Sequence, residues 1–171
     1  MPQSQRRLDR VLEPAYLEGI AARPTDELES MRAECDEIET EVSYVRRLAQ
    51  ARIEILRAER ARRVSGADIG ELVDALPRIL ADQGPRSDPA RARLPRFLAP
   101  DPKIAWNRGL EALVTDSTLA SLPLIEDSRL DESLEQLATL ESEVSDARRS
   151  LHPVIDALDQ ELAARRRDGR R

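Results

Sequence analysis

The stretch that decides the fold reads Glu39-Thr40-Glu41-Val42-Ser43-Tyr44-Val45-Arg46-Arg47-Leu48-Ala49-Gln50-Ala51-Arg52-Ile53-Glu54. Two periodicities run through it. Val42, Val45, Ala49 and Ile53 recur at steps of three and four, the spacing that lines apolar side chains along one side of an α-helix. Glu39, Ser43, Arg46, Gln50 and Glu54 recur at the same steps and form a polar stripe. Each polar residue follows a seam residue by one position, roughly 100° around the helix. The stripe therefore lies at the margin of a helix–helix contact, partly sheltered and still reachable.

The same stripe occurs again 102 residues later as Glu141, Ser145, Arg148, His152 and Asp156. Both copies read acid-x3-Ser-x2-Arg-x3-(Gln/His)-x3-acid, and residues 39–54 share seven of sixteen positions with 141–156. Two helical repeats can match by accident on their apolar positions. They do not usually match on the polar ones as well, and a serine of modest helix propensity placed twice in register calls for a reason.

Working outward, Thr25 is an N-cap candidate, with Asp26 and Glu27 favourable at the helix start. No Gly or Pro interrupts the chain from there to Arg63, so a helix is expected over 26–63, closed by Ser65-Gly66. Its seam runs from Leu28, Met31, Cys35 and Ile38 through the quoted stretch to Leu56. A second long helix is expected over 128–166, with Ser128 as its cap and a seam from Leu130 to Leu158. Pro153 falls inside it and should bend it locally by freeing the carbonyl of Arg149. The arginine-rich tail from Arg165 is expected to fray.

Residues 1–24 read as a lead-in with an apolar patch at Leu12, Tyr16, Leu17 and Ile20. Residues 64–127 should hold short helices, one over 68–82 that Pro77 kinks or splits and one around Asn107–Val114. Between them, 84–103 carries five prolines and five basic residues, the composition of a linker. The whole of 1–171 is expected to be a single all-α domain, a long antiparallel helical hairpin with short additional helices. Stripe spacing alone aligns the two copies in a parallel or an antiparallel pair. A ligand with two-fold symmetry favours the antiparallel one.

Bulk composition agrees. Charged residues make up 35% of the 171 and aromatic residues 2%, which suits long helices packed through Leu, Val, Ile and Ala. A net charge of −6 argues against a general binder of phosphate backbones, so no direct DNA binding is expected. One cysteine and one histidine leave no metal centre in view. No run reaches the ~20 apolar residues that cross a bilayer, and the first residues lack a hydrophobic signal segment, so a cytoplasmic protein without membrane contact is expected.

The stripes suit a guanine nucleotide. Arginine offers paired donors to guanine O6 and N7, a carboxylate accepts from the amine edge, and serine with the remaining arginine edge suits a phosphate. Two facing stripes would present two guanine clamps and two phosphate contacts. Enzymatic chemistry finds no support: there is no Gly-rich phosphate loop, metal cluster or Ser/His/acid set off this one helix face, and no catalytic residue is assigned. The competing reading is a helical scaffold whose repeated stripe is surface charge.

The double pattern resembles the signature of the RsiG family, actinobacterial anti-sigma factors armed by cyclic di-GMP. The runs from Val11 to Ile20, Ser43 to Gln50 and Arg52 to Glu59 resemble it as well. The resemblance implies an antiparallel hairpin that binds a cyclic di-GMP dimer and then captures WhiG, a flagellar-type sigma factor driving sporulation genes. On that basis Arg46 and Arg148 contact guanine and phosphate, while Glu54 and Asp156 accept from guanine. Ser43, Ser145, Gln50 and His152 add polar contacts, and Glu39 and Glu141 close the stripe. The chain departs from the family pattern with Glu54 in place of Asp and His152 in place of Gln, beside Pro153. A protonatable His152 is expected to make ligand affinity rise as pH falls through about 6.5. Equal dissociation constants at pH 5.8 and 7.8 would remove that expectation.

Overall fold

The computed structural model describes residues 3–81 and 121–169; the linker over 84–103 and the helix around Asn107–Val114 lie outside them. The described residues contain no strand. Helix α1 spans Gln3–Leu12, α2 Thr25–Ser65, α3 Ile69–Ala81 and α4 Asp127–Arg167. Short 3-10 turns cover Pro14–Leu17, Ile20–Ala22 and Leu122–Leu124. The long helices pack antiparallel through their apolar seams, an all-α hairpin as the sequence implied.

Each long helix starts one residue ahead of the expected position, with Leu28 N–H donating to Pro24 and Leu130 N–H to Glu126. Gly66 ends α2 in the left-handed region at φ 70, where a side chain would be strained. Ala67 N–H then donates to Arg62 and Gly66 N–H to Arg63, the paired bonds of a Schellman cap. Helix α3 runs on through Pro77 and α4 through Pro153. Pro153 is exposed, so the missing amide faces away from the packed side.

Two compact units divide the chain. The first joins residues up to Tyr44 with those from Val144 onward; the second joins Val45 onward with residues up to Glu143. In the first unit, Leu28, Met31, Cys35, Ile38 and Val42 of α2 pack with Leu151, Val154, Ile155, Leu158 and Leu162 of α4. Leu8 and Val11 of α1 complete that core, and Leu12, Tyr16, Leu17 and Ile20 flank it. The lead-in is thus a packed third layer, held from outside by Arg7 and Arg10, which pair with Glu34 on α2. The Tyr16 hydroxyl donates to the Met31 carbonyl at 3.3 Å and to Glu34 at 3.2 Å. Burial, with Cys35 and Glu34 nearby, pushes its ionisation up.

In the second unit, Val45, Ala49, Ile53 and Leu56 are buried on α2, and Leu130 and Leu137 on α4. Its end is fixed by a fully buried carboxylate, Glu59. Arg62 forks onto it with bonds of 2.7 and 2.9 Å, and Arg63 Nε adds a third at 2.7 Å. The rest of the Arg63 guanidinium donates to the carbonyls of Leu122 and Ile125 at 2.7 and 2.8 Å, and to Asp127 at 2.6 Å. The first unit repeats this device 102 residues away. Arg165 Nε pairs with Glu161 at 2.8 Å, and its outer nitrogens donate to the carbonyls of Ile20 and Arg23 and to Thr25.

Arg165 is therefore buried and bonded, and α4 continues to Arg167, which corrects the expectation of fraying at the start of the tail. The duplication also reaches well past the stripe: the long helices and the 3-10 turns at Ile20 and Leu122 all start 102 residues apart.

Arg62, opposed by burial and helped by Arg63, holds the Glu59 carboxyl below its ordinary range. A carboxylate with a depressed folded value stabilises the fold above its unfolded value, and that contribution fades as pH falls through the folded one. Glu59→Gln is expected to cost ~1.5–3 kcal/mol at pH 7 in urea denaturation, because the three bonds from Arg62 and Arg63 lose the charge that they meet. The gap from wild type should narrow once pH drops below about 4.5. A gap of constant size from pH 7 to pH 3 would contradict this assignment.

Candidate functional site

Nine of the ten stripe residues are half-buried and Asp156 is exposed, the marginal position that the one-residue offset from the seam predicts. Each unit holds part of both copies. In the first unit, α2 supplies Glu39 and Ser43 while α4 supplies Ser145, Arg148, His152 and Asp156. In the second, α2 supplies Arg46, Gln50 and Glu54, and α4 supplies Glu141. Antiparallel packing thus sets the leading acid of one copy beside the arginine of the other.

The first unit makes that contact tightly. Arg148 Nε donates to Glu39 Oε1 at 2.9 Å and to Ser43 Oγ at 3.0 Å, and Ser43 Oγ donates to Glu39 Oε1 at 2.9 Å. One glutamate, one serine and one arginine form a closed triangle across the helices, which gives Ser43 its place in the stripe. In the second unit Gln50 takes the carboxylate, with Nε2 donating to Glu141 Oε1 at 2.9 Å. Arg46 Nη1 stands 3.8 Å from the same oxygen, and Arg46 Nε is buried without a hydrogen-bond partner. A buried, unpaired guanidinium nitrogen is costly unless something else meets it. Glu54 makes no side-chain hydrogen bond or ion pair among the described residues.

The second unit therefore offers two donors, on Arg46 and Gln50, and a carboxylate acceptor, on Glu54, along about 12 Å of helix. That donor and acceptor set fits the edge of a guanine or a phosphodiester. Among the described residues no group of three or more His, Cys, Asp or Glu side chains could hold a metal ion. No described helix is long and apolar enough to cross a membrane.

Sequence reasoning missed Arg63 and Arg165, the residues that orient the helix ends. Their signal was present: Glu59 and Glu161, and Arg63 and Arg165, continue the 102-residue offset beyond the stripe.

This site belongs to a helical hairpin with a duplicated polar stripe. A family model described as RsiG-like matches residues 14–80, covering the 3-10 lead-in, α2 and nearly all of α3. Over that span the chain is similar to the RsiG-like family, and the match takes in the first copy of the stripe. The match supports a regulatory, anti-sigma role and a sigma factor as the class of partner; the second stripe lies beyond the matched residues. No curated protein matches the chain.

The unequal pairings give a measurable difference. In double-mutant cycles on urea denaturation, Glu39 and Arg148 should couple by about 0.5–1 kcal/mol, as partly exposed pairs do. Glu141 and Arg46, further apart, should couple less. Equal couplings would mean that the two units are closed alike.

Proposed function

We propose that the chain binds cyclic di-GMP through both stripes and, once loaded, sequesters a WhiG-like flagellar or sporulation-type sigma factor from RNA polymerase. The reading is supported by the duplicated motif, by the RsiG-like match over 14–80 and by the donor set of the second unit. The observation that carries it is Arg46, whose Nε is buried without a partner while Gln50 and Glu54 stand along the same face.

In this account Arg46 and Arg148 meet guanine and phosphate, and Glu54 and Asp156 accept from the guanine amine edge. Ser43, Ser145, Gln50 and His152 supply further polar contacts, with Glu39 and Glu141 closing each stripe. A ligand with two equivalent guanine halves matches a chain that carries its recognition motif twice, and a ligand dimer is the expected stoichiometry. The protein is proposed to act in the cytoplasm as a single helical domain and a non-catalytic repressor of late sporulation genes, without touching DNA.

Titration calorimetry with cyclic di-GMP tests the ligand, and pull-down of a flagellar-type sigma factor with and without it tests the dependence. Arg46→Ala and Arg148→Ala should each weaken ligand binding by about 1.5–3 kcal/mol, the usual worth of a charge-assisted hydrogen bond. Both variants should remain helical, since Arg→Ala does not lower helix propensity. Absence of binding heat at high micromolar cyclic di-GMP would favour the helical scaffold instead.

A further inference from the structure

The stripes end differently in the two units. In the first unit, one turn beyond Asp156, Asp159 accepts from Arg32 Nε at 2.6 Å, and Arg32 also pairs with Asp36 at 2.5 Å. That end is closed by an ion pair across the helices. The repeat-equivalent position in the second unit, 102 residues earlier, is occupied by Arg57.

Arg57 lies three residues past Glu54 and eleven past Arg46. Eleven residues are three helical turns within about 20°, so Arg57 continues the Arg46 face some 16 Å further along α2. In the register that pairs Gln50 with Glu141 and Arg60 with Asp131, the residue opposite Arg57 is Leu134. Leu134 stands where the duplication would place the equivalent of Arg32, and it offers no charge. Two of the nearby carboxylates are already engaged, Glu59 by Arg62 and Arg63, and Asp131 by Arg60. Arg57 is exposed and makes no ion pair among the described residues.

We propose that Arg57 is a further ligand-binding residue, a phosphodiester contact that extends the second unit's stripe beyond Glu54. The inference rests on the reading of the stripes as a cyclic di-GMP site and adds to it an eleventh position outside the duplicated motif. Guanidinium chemistry favours phosphate here, because Glu54 already supplies an acceptor for guanine and Arg57 supplies only donors. With Arg57 the second unit carries two cations, Arg46 and Arg57, on one helix face. In the first unit's stripe the arginine is Arg148, and Arg32 beyond it is committed to Asp159 and Asp36.

The test is titration of the full chain with cyclic di-GMP, for wild type, Arg57→Ala, Leu134→Asp and, as a control on α3, Arg78→Ala. Circular dichroism establishes that each variant is folded. Arg57→Ala should weaken binding about tenfold and flatten its dependence on salt between 50 and 200 mM, since one ligand charge loses its partner. Leu134→Asp, which gives Arg57 the kind of carboxylate that Arg32 has, should weaken binding by a similar factor. Arg78→Ala should match wild type. If wild type binds and Arg57→Ala binds equally well with the same salt dependence, Arg57 is only a solvated charge and the inference is overturned. If wild type itself does not bind, the reading of the stripes fails and the inference falls with it.

Discussion

Each long helix has an acidic first half, and this polarity constrains how two such helices can lie together. From Thr25 to Tyr44 α2 carries eight carboxylates and one arginine; from Val45 to Ser65 it carries seven arginines and two glutamates. From Asp127 to Glu143 α4 carries six carboxylates and one arginine, and from Val144 to Arg167 five arginines and four carboxylates. Parallel packing would set the two acidic halves side by side. Antiparallel packing gives each unit one acidic segment and one that opposes it, as in the pairs Arg60–Asp131 and Arg32–Asp159. Each exposed pair is worth little alone. The seams serve either direction, so the choice falls to the charges and to what the helix ends can reach.

The ends agree with the charges. Arg63 and Arg165 each sit near the C-terminus of one long helix and hold carbonyls of the turn that leads into the other. That contact exists only when the end of one helix meets the start of its partner. Each arginine satisfies at least two turn carbonyls at once, and each is steadied by a glutamate four residues back, Glu59 or Glu161.

Much of this was legible in the sequence because it is periodic. All nine seam residues read on α2, from Leu28 to Leu56, are buried. On α4 the reading was partial: Leu134, Leu140, Val144 and Ala147 are only half-buried, while Val154 and Leu162, outside the seam, are buried. A single heptad line describes contact with one neighbour, and α4 in the first unit also belongs to a core completed by α1. The lead-in was legible as an apolar patch, but not as a helix, because α1 is short and mostly polar and Pro14 follows it closely. Direction was left open by stripe spacing, although the charge polarity that favours antiparallel packing was already in the sequence. Which stripe residues meet was not legible at all, since that depends on stagger: Arg148 reaches both Glu39 and Ser43, whereas Arg46 falls short of Glu141.

Antiparallel packing is proposed to turn one duplicated motif into a cyclic di-GMP reader. Amide hydrogen exchange with and without cyclic di-GMP examines both stripes in a single measurement. The account predicts slower exchange over 39–57 and 141–156 together on ligand addition, with α3 unchanged. Unaltered exchange in both stripes at saturating ligand, or protection confined to residues outside them, would contradict it.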